Sequence, residues 1–209
     1  MIDICVNCGV YRPDKTIDPS GPFAVCRECG YRHPFRQLPL FIVSGASCAG
    51  KSTVCRLLTG RLDRVVPLDM DVLWRQEFNS PETHFRDFFE TWLRVAFNIS
   101  QAGRPVVFFG SGAGVPDNIE PCTRRRYFCT IEYLALVCDD EVLAERLRQR
   151  PDWRATHAPQ FIEEQQRFNQ WFKAYGPAQP AITIMDTTHV EPEEAAWQVT
   201  DWVGARLTT

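Results

Sequence analysis

The sequence lacks any long hydrophobic run, and this absence argues against a membrane-spanning helix. A membrane-spanning helix needs about 18 or more consecutive apolar residues, and no such stretch occurs. The first residues also lack the apolar core of a secretory signal peptide. We therefore expect a cytoplasmic protein with no membrane partner.

The sequence also has no large excess of positive or negative charge, because its net charge is only −3 at pH 7. Such a balance gives no general attraction to nucleic acid, which would need a local basic patch. Nucleic acid is therefore an alternative partner that the charge does not favour. A length of 209 residues, with 44% hydrophobic and 23% charged residues, suits one core domain with a small appendage.

Cysteine is abundant, with nine residues, and four of them are regularly spaced. Cys5, Cys8, Cys26 and Cys29 form two C-x-x-C-G turns separated by 17 residues. This spacing is typical of a tetrahedral zinc site, and four thiolates leave the metal no open position. The pattern predicts a structural Zn²⁺ ion; redox-active or idle cysteines are the alternative.

The segment that carries these cysteines, residues 1–36, resembles a zinc ribbon. It holds four prolines and little regular pattern, so we expect the metal to supply most of its folding energy. Structural support or the role of a lid is the favoured interpretation. Its five basic residues leave open that it binds a partner.

Residues 40–62 predict a strand, a glycine-rich turn and a helix. Leu40–Val43 is a short apolar run, and Thr53–Leu62 contains no proline. Between them lies a match to the phosphate-binding pattern G-x-x-x-x-G-K-[ST]. The expected nucleotide-binding residues are Gly45, Ala46, Ser47, Cys48, Ala49, Gly50, Lys51, Ser52 and Thr53.

The chemistry of this turn explains its residue types. Gly45 and Gly50 allow backbone N–H groups to turn around an anion at a helix N-terminus. Lys51 would place a positive charge beside the β- and γ-phosphates of ATP, and Ser52 would bind Mg²⁺. The alternative is a chance match in a surface turn.

Two acids follow the second predicted strand, residues 64–69. Ligands of parallel α/β sheets bind at the carboxyl ends of the strands, so Asp69 and Asp71 are expected to face Lys51. Residues i and i+2 of a strand share a face, which lets one carboxylate serve Mg²⁺ and the other a substrate hydroxyl. Alternatively, the two acids cap the next helix.

Residues 82–101 predict an aromatic helix, and Pro105–Phe109 predicts the third strand. The aromatic stripe is typical of a core, and Phe85 or Phe89 could also stack on a ring in an acceptor pocket. Gly110 and Gly112 leave room for substrate beside the backbone. The strand has no terminal Asp, which disfavours AAA-type and transport ATPases.

Arginines cluster on both sides of the fourth predicted strand, which lies within residues 127–137. One residue of Arg124–Arg126 is expected to reach an acceptor phosphate; Arg125 is taken as that residue, although the pattern does not distinguish the three. Further on, Arg146, Arg150 and Arg154 are expected to neutralise the transferring phosphoryl group. A solvated arginine-rich helix paired with Glu141 and Glu145 is the alternative.

The remaining pattern predicts a helix at residues 159–175, a fifth strand at 181–185 and a closing helix at 193–207. Strands alternate with helices from residue 38 onward. This order predicts an α/β protein with a parallel sheet that helices cover on both faces.

Taken together, residues 38–209 resemble the adenylate-kinase-like group of small P-loop kinases, which includes nucleoside, nucleotide, shikimate and gluconate kinases and chloramphenicol phosphotransferase. The resemblance rests on Gly45–Ser52, the Asp69-x-Asp71 pair, the turn at Gly110–Gly112, the arginines at 146–154 and Asp186-Thr187-Thr188. It implies a three-layer P-loop fold at residues 37–209, with a five-stranded parallel sheet in the order 2-3-1-4-5 and a lid at about 146–158.

The resemblance also implies residue roles. Asp69 would assist Mg²⁺, Asp71 would bind the acceptor hydroxyl or take its proton, and Asp186 and Thr187 would lie beside adenine. The lid is short, and the cysteines precede the core, whereas zinc-bearing adenylate kinases carry theirs in the lid. The resemblance therefore does not extend to adenylate kinase itself.

These observations predict an ATP- and Mg²⁺-dependent kinase for a small acceptor, with a nucleoside or nucleotide favoured. Lys51, Asp69, Asp71, Arg146 and Arg150 are the expected catalytic residues. One alternative is a kinase for RNA or DNA 5′-hydroxyl ends that binds nucleic acid through the ribbon. The other is an ATP-binding switch without catalysis. The oligomeric state and the identity of the acceptor do not follow from the sequence.

Overall fold

The chain folds into two separate β-sheets, as seen in a computed structural model that describes residues 2–61, 63–154, 156–175 and 179–207. The first sheet is antiparallel and consists of β1 (Thr16–Asp18), β2 (Phe23–Val25) and β3 (Arg32–Pro34). Each strand is only three residues long, so this sheet buries little apolar surface of its own.

The second sheet has five parallel strands and forms the centre of the molecule. Its strands are β4 (Leu40–Ser44), β5 (Val66–Asp69), β6 (Val106–Phe109), β7 (Ile131–Val137) and β8 (Ile182–Asp186). They lie in the order β5-β6-β4-β7-β8, which confirms the predicted order 2-3-1-4-5. Central strand β4 is entirely buried, as its unbroken apolar run predicts.

Helices cover both faces of this sheet. They are α1 (Lys51–Leu58), α2 (Arg86–Ser100), α3 (Pro116–Ile119), α4 (Asp140–Arg148), α5 (Pro159–Lys173) and α6 (Pro192–Leu207). Phe41 and Val43 pack against α1 and α6, whereas Leu40 and Ile42 pack with α2. This alternation follows from the two-residue period of a strand, and it produces three layers.

Helices α1 and α2 differ from their predicted bounds. The first ends at Leu58 because Thr59 is extended and Gly60 has a φ of 80°; predicted residue Leu62 lies outside the described residues. Helix α2 begins at Arg86, four residues later than predicted. Residues Pro81–Thr83 form a 3₁₀ turn, and His84 and Phe85 have left-handed φ values of 53° and 52°.

The N-terminal segment packs against α2 and the turn that follows α3. Asp3 is 3% exposed and its carboxylate lies 3.0 Å from Arg124, which also pairs with Glu90 of α2 at 3.1 Å. The hydroxyl of Tyr127 donates to the carbonyl of Pro13 at 2.6 Å. Among the described residues, no helix has the length and hydrophobicity that a bilayer span requires.

Candidate active site

The turn between β4 and α1 wraps tightly around its own backbone. Gly45 has a φ of 140°, and a Cβ atom there would lie 2.2 Å from the carbonyl oxygen of Leu136. Gly50, which precedes α1, has a φ of 103°. Both φ values favour glycine, and at Gly45 the close approach of Leu136 also leaves no room for a side chain.

Three neighbouring elements hold this turn from outside. The N–H of Ser47 donates to the side-chain oxygen of Gln165 in α5 at 2.8 Å. The hydroxyl of Thr187, after β8, donates to the carbonyl of Ala49 at 3.3 Å. The thiol of Cys48 lies 3.6 Å from the carbonyl of Arg146. The turn is therefore a preformed cradle whose position depends on α4, α5 and the end of β8.

Lys51 is the first residue of α1, and its ammonium group folds back over the turn. It donates to the carbonyls of Gly45 and Ala46, both at 2.8 Å. Burial lowers the pKa of Lys51 to about 8, although the nearby Asp71 carboxylate opposes this shift. A desolvated cation in this place favours an anionic ligand, which would supply the charge that water no longer compensates.

The turn opens into a cleft of about 730 Å³. Four basic and two acidic side chains are among its lining residues, so its charge suits a polyanion. The lining comprises Ser47, Cys48, Ala49, Gly50, Lys51, Ser52, Thr53, Val54, Asp71, Ser111, Arg146, Arg150, Arg154, Thr187, Thr188, His189, Val190, Glu191, Pro192 and Ala195.

Asp69 and Asp71 occupy different structures, contrary to the prediction that both extend a strand. Asp69 ends β5, and its carboxylate accepts a hydrogen bond from the N–H of Asp71 at 2.9 Å. Asp71 lies in the 3₁₀ turn Met70–Leu73. Asp69 therefore caps the following turn, as the alternative interpretation of the sequence predicted, while Asp71 lines the cleft.

The environment of Asp71 disfavours its charged form. Burial raises the pKa of its carboxyl, and the adjacent Asp69 raises it further. Lys51, Arg154 and Arg150 act in the opposite direction. A carboxylate with a raised pKa is better suited to accepting a proton than an ordinary aspartate.

A second, smaller cavity of about 220 Å³ adjoins the cleft. The two cavities share Asp71 and Ser111. The predicted residues Phe85, Phe89, Gly110 and Gly112 all line it, and the full lining is Met70, Asp71, Trp74, Phe85, Phe88, Phe89, Gly110, Ser111, Gly112 and Ala113. The two cavities can therefore hold two molecules that meet at one carboxylate.

Arg146, Arg150 and Arg154 line the large cleft, but their interaction partners differ. Arg146 of α4 donates to the carbonyls of Thr187 and Thr188, at 3.2 and 3.3 Å. Arg150 lies two residues beyond the end of α4 at Arg148. Arg154 stacks over the Trp153 ring at 4.3 Å. Arg146 thus supports the loop after β8, whereas Arg150 and Arg154 line the cleft together with Asp71 and act to lower the pKa of its carboxyl.

Arg124–Arg126 do not line either cavity, so the structure does not place Arg125 at a substrate. Arg125 pairs with Glu120 at 2.7 Å and donates to the carbonyl of Phe128. Arg126 donates to backbone carbonyls, among them that of Asp14. The 3₁₀ turn Thr123–Tyr127 directs these side chains toward the N-terminal segment and α3, which sequence spacing cannot show.

The loop after β8 contributes more lining residues than the sequence predicted. Asp186 is not among the lining residues, because its carboxylate accepts hydrogen bonds from the N–H and hydroxyl of Thr188. Thr187 lies on the cleft as expected. Sequence reasoning missed His189, Val190, Glu191, Pro192 and Ala195, whose only signal was their position directly after Asp186-Thr187-Thr188. It also missed Ser111, Trp74 and Phe88.

The four spaced cysteines of the N-terminal segment converge on one point. Their sulfur atoms all lie within 4.8 Å of one another. The Sγ atoms of Cys5 and Cys29 are 3.6 Å apart, and those of Cys8 and Cys26 are 3.8 Å apart. A tetrahedral zinc ion with Zn–S bonds of about 2.3 Å separates its sulfurs by about 3.8 Å, so this cluster fits Zn²⁺.

The sequence profile of the AAA_33 family, described as an AAA domain, matches residues 40–175. The chain belongs to this family. The match spans the phosphate-loop turn, the smaller cavity and the arginines on the cleft, and it stops before β8. The missing aspartate at the end of β6, which we took to disfavour AAA-type ATPases, therefore does not exclude membership.

Solved structures similar to this chain have a P-loop kinase fold. A sugar kinase from Janibacter sp. HTCC2649 has a TM-score of 0.56 and 15% sequence identity, over 82% of this chain and 97% of that chain. A gluconokinase from Sinorhizobium meliloti 1021 has a TM-score of 0.50 and 18% identity, over 82% and 98% of the two chains. No curated protein matches the chain. At these identities the likeness establishes the fold.

Proposed function

We propose that the protein is an ATP- and Mg²⁺-dependent kinase that phosphorylates a small hydroxyl-bearing acceptor, with the nucleoside and nucleotide class favoured. The observation that carries this proposal is the junction of the two cavities at Asp71 and Ser111. The cleft has the size and charge for a nucleoside triphosphate, and the smaller cavity has room for an acceptor.

The residues of the cleft would act mainly by positioning and by stabilising charge. Bound ATP supplies the phosphoryl group, and Mg²⁺, which the exposed hydroxyl of Ser52 would help to hold, offsets its charge. The turn amides and Lys51 would orient the β- and γ-phosphates. Arg150 and Arg154 would neutralise charge on the transferring group, and Asp71 would take the acceptor proton.

The N-terminal segment would have a structural role in this enzyme. We infer that Cys5, Cys8, Cys26 and Cys29 hold one Zn²⁺ ion and that residues 1–36 form a unit distinct from the kinase-like domain at 37–209. The ion would fix two short turns that the three-residue strands cannot stabilise alone. Residues 146–158 would form the lid, apart from Ala155, which lies outside the described residues.

Transfer from γ-labelled ATP to a panel of nucleosides, nucleoside monophosphates, sugars and 5′-hydroxyl oligonucleotides tests the proposal. We expect label in a small acceptor and none after Lys51→Ala, with circular dichroism and zinc content unchanged. Full activity of that variant would refute the assignment.

Tight ATP binding without transfer to any acceptor would instead support the switch. Label on oligonucleotides alone would support the end-kinase alternative, for which binding should fall steeply with salt.

A further inference from the structure

The wall of the smaller cavity is formed by aromatic rings. Trp74 and Phe88 are 5.2 Å apart in an edge-to-face pair, and Phe88 and Phe89 form a second such pair at 5.4 Å. Phe85 lies 6.2 Å from Trp74 on the same side. A cavity with such walls favours a ligand that presents an apolar or aromatic ring.

Glycines keep the opposite side of this cavity open. A Cβ atom on Gly110 would lie 2.8 Å from the sulfur of Met70, and one on Gly112 would lie 3.3 Å from the Phe89 ring. Larger residues at these positions would fill part of a volume of only about 220 Å³. The space therefore suits a molecule with one or two rings.

The cavity has no basic lining residue among the described residues, and its single charged lining group is Asp71. Three arginines of the neighbouring elements have other partners. Arg86, next to Phe85, donates to the sulfur of Cys122 at 3.3 Å, and Arg124 and Arg125 pair with carboxylates. A phosphate or carboxylate on the part of the acceptor that lies within this cavity would thus lose its hydration without gaining a cation from the lining.

We propose that the acceptor is an uncharged, ring-bearing alcohol, and that acceptors carrying a phosphate or carboxylate are rejected. This inference rests on the proposed kinase function and selects the nucleoside over the nucleotide. The ring would lie among Trp74, Phe85 and Phe89, with its hydroxyl at Asp71.

The transfer step balances within this arrangement. The acceptor oxygen forms a bond to the γ-phosphorus of ATP, and the bond from that phosphorus to the bridging oxygen breaks. The hydroxyl proton passes to Asp71, and ADP leaves with the electron pair of the broken bond. No further reactant is required.

Matched pairs of acceptors test the selectivity directly. Isothermal titration of the full-length, zinc-loaded protein with a non-hydrolysable ATP analogue is compared for uridine and uridine 5′-monophosphate, thymidine and its monophosphate, and benzyl alcohol and 4-(hydroxymethyl)benzoate. We expect the uncharged member to bind at least about 100-fold more tightly in pairs that bind, because the anion finds no partner. Equal or tighter binding of the charged members would overturn the inference.

A variant tests whether the missing cation is the cause. Trp74, which is 45% exposed, can accept Trp74→Arg without opening a core cavity, and Trp197→Arg, at 59% exposure on α6, is the matched control. We expect Trp74→Arg to reduce the preference for the uncharged members at least about tenfold, and the control to leave it unchanged. An unchanged preference in Trp74→Arg, with a native circular dichroism spectrum, contradicts the inference.

Binding and transfer separate the two proposals. If the uncharged molecules bind preferentially but no label moves from ATP, the kinase function fails while the chemistry of the cavity stands. If label moves to monophosphates or carboxylates in preference, the kinase function stands and this inference fails. If none of the uncharged probes binds, the inference fails as well.

Discussion

Single residues determine whether the phosphate-loop turn can form. Gly45 and Gly50 both have positive φ values, but their surroundings differ. A side chain at Gly45 would collide with the backbone of β7, whereas nothing lies within 4 Å of a Cβ atom at Gly50. Replacing Gly45 should therefore reduce the stability of the protein more than replacing Gly50.

We expect Gly45→Ala to lose at least about 3 kcal/mol of unfolding free energy, because backbone overpacking and strain at positive φ each cost about 1–3 kcal/mol. Its affinity for ATP should fall by more than tenfold, since the turn must shift. Gly50→Ala should lose only about 1–2 kcal/mol. Urea unfolding and ATP titration provide the measurements, and equal losses in the two variants would contradict this argument.

The lowered pKa of Lys51 gives ATP binding a distinct pH dependence. The free side chain loses its proton as the pH rises through about 8, and triphosphate binding favours the protonated form. We expect the affinity for ATP to weaken progressively above that pH, with proton uptake on binding. Titration calorimetry in two buffers with different ionisation enthalpies measures this uptake.

Lys51→Met serves as the control for this dependence. The variant should bind ATP more weakly and take up no proton between about pH 8 and 9.5. Wild-type binding without proton uptake in that range would show that Lys51 is already protonated in the free protein, or that it does not face the phosphates.

At the scale of elements, the turn Thr123–Tyr127 joins the N-terminal segment to α2. Arg124 is 8% exposed and connects Asp3 to Glu90, whose carboxylate also accepts a short hydrogen bond from the N–H of Thr123. The neighbouring Arg125 is more exposed and binds Glu120 instead. Arg124 should therefore contribute more to the stability of the protein than its neighbour Arg125.

We expect Arg124→Met to destabilise the protein by about 3 kcal/mol, because it removes the cation shared by the buried Asp3 and the partly buried Glu90. Arg94, 3.4 Å from Asp3, limits the loss. Arg125→Met, as the matched neighbour, should cost at most about 1 kcal/mol, as partly exposed ion pairs do. Chemical denaturation measures both values, and a loss in the second variant as large as in the first would refute the assignment.

Element types followed from the sequence better than element ends. The apolar run at Leu40–Val43 fixed strand β4, since only a doubly covered strand is apolar on both faces. The beginning of α2 did not follow, because His84 and Phe85 adopt left-handed conformations that local propensity disfavours. This conformation places Phe85 in the lining of the smaller cavity.

For the whole molecule, the cysteine cluster and the smaller cavity are connected through α2. The N-terminal segment holds Glu90 through Arg124, and Phe85 and Phe89 on the same part of α2 line the cavity. The cleft is lined instead by α1, α4 and the end of β8. Loss of the metal should therefore affect the two substrates unequally.

We expect one zinc ion per chain by mass spectrometry and none in Cys8→Ser. That variant should show a KM for the acceptor raised several-fold, with the affinity for ATP changed less than twofold. Cys129→Ser, which removes an exposed cysteine outside the cluster, should match the wild type. Equal weakening of both substrates in Cys8→Ser would show that the metal supports the whole fold and not α2 in particular.

The sequence by itself determined the phosphate-loop turn, the cysteine cluster and the parallel sheet covered by helices, because each depends on residue types at fixed short spacings or on the alternation of strands and helices. The order of the strands followed only from the resemblance to small P-loop kinases. Tertiary structure alone decided which polar groups meet. Asp69 caps a turn while Asp71 joins two cavities, and Arg125 turns away while Arg150 and Arg154 face the cleft. These outcomes depend on contacts between residues far apart in the chain, and spacing along the chain carries no information about them.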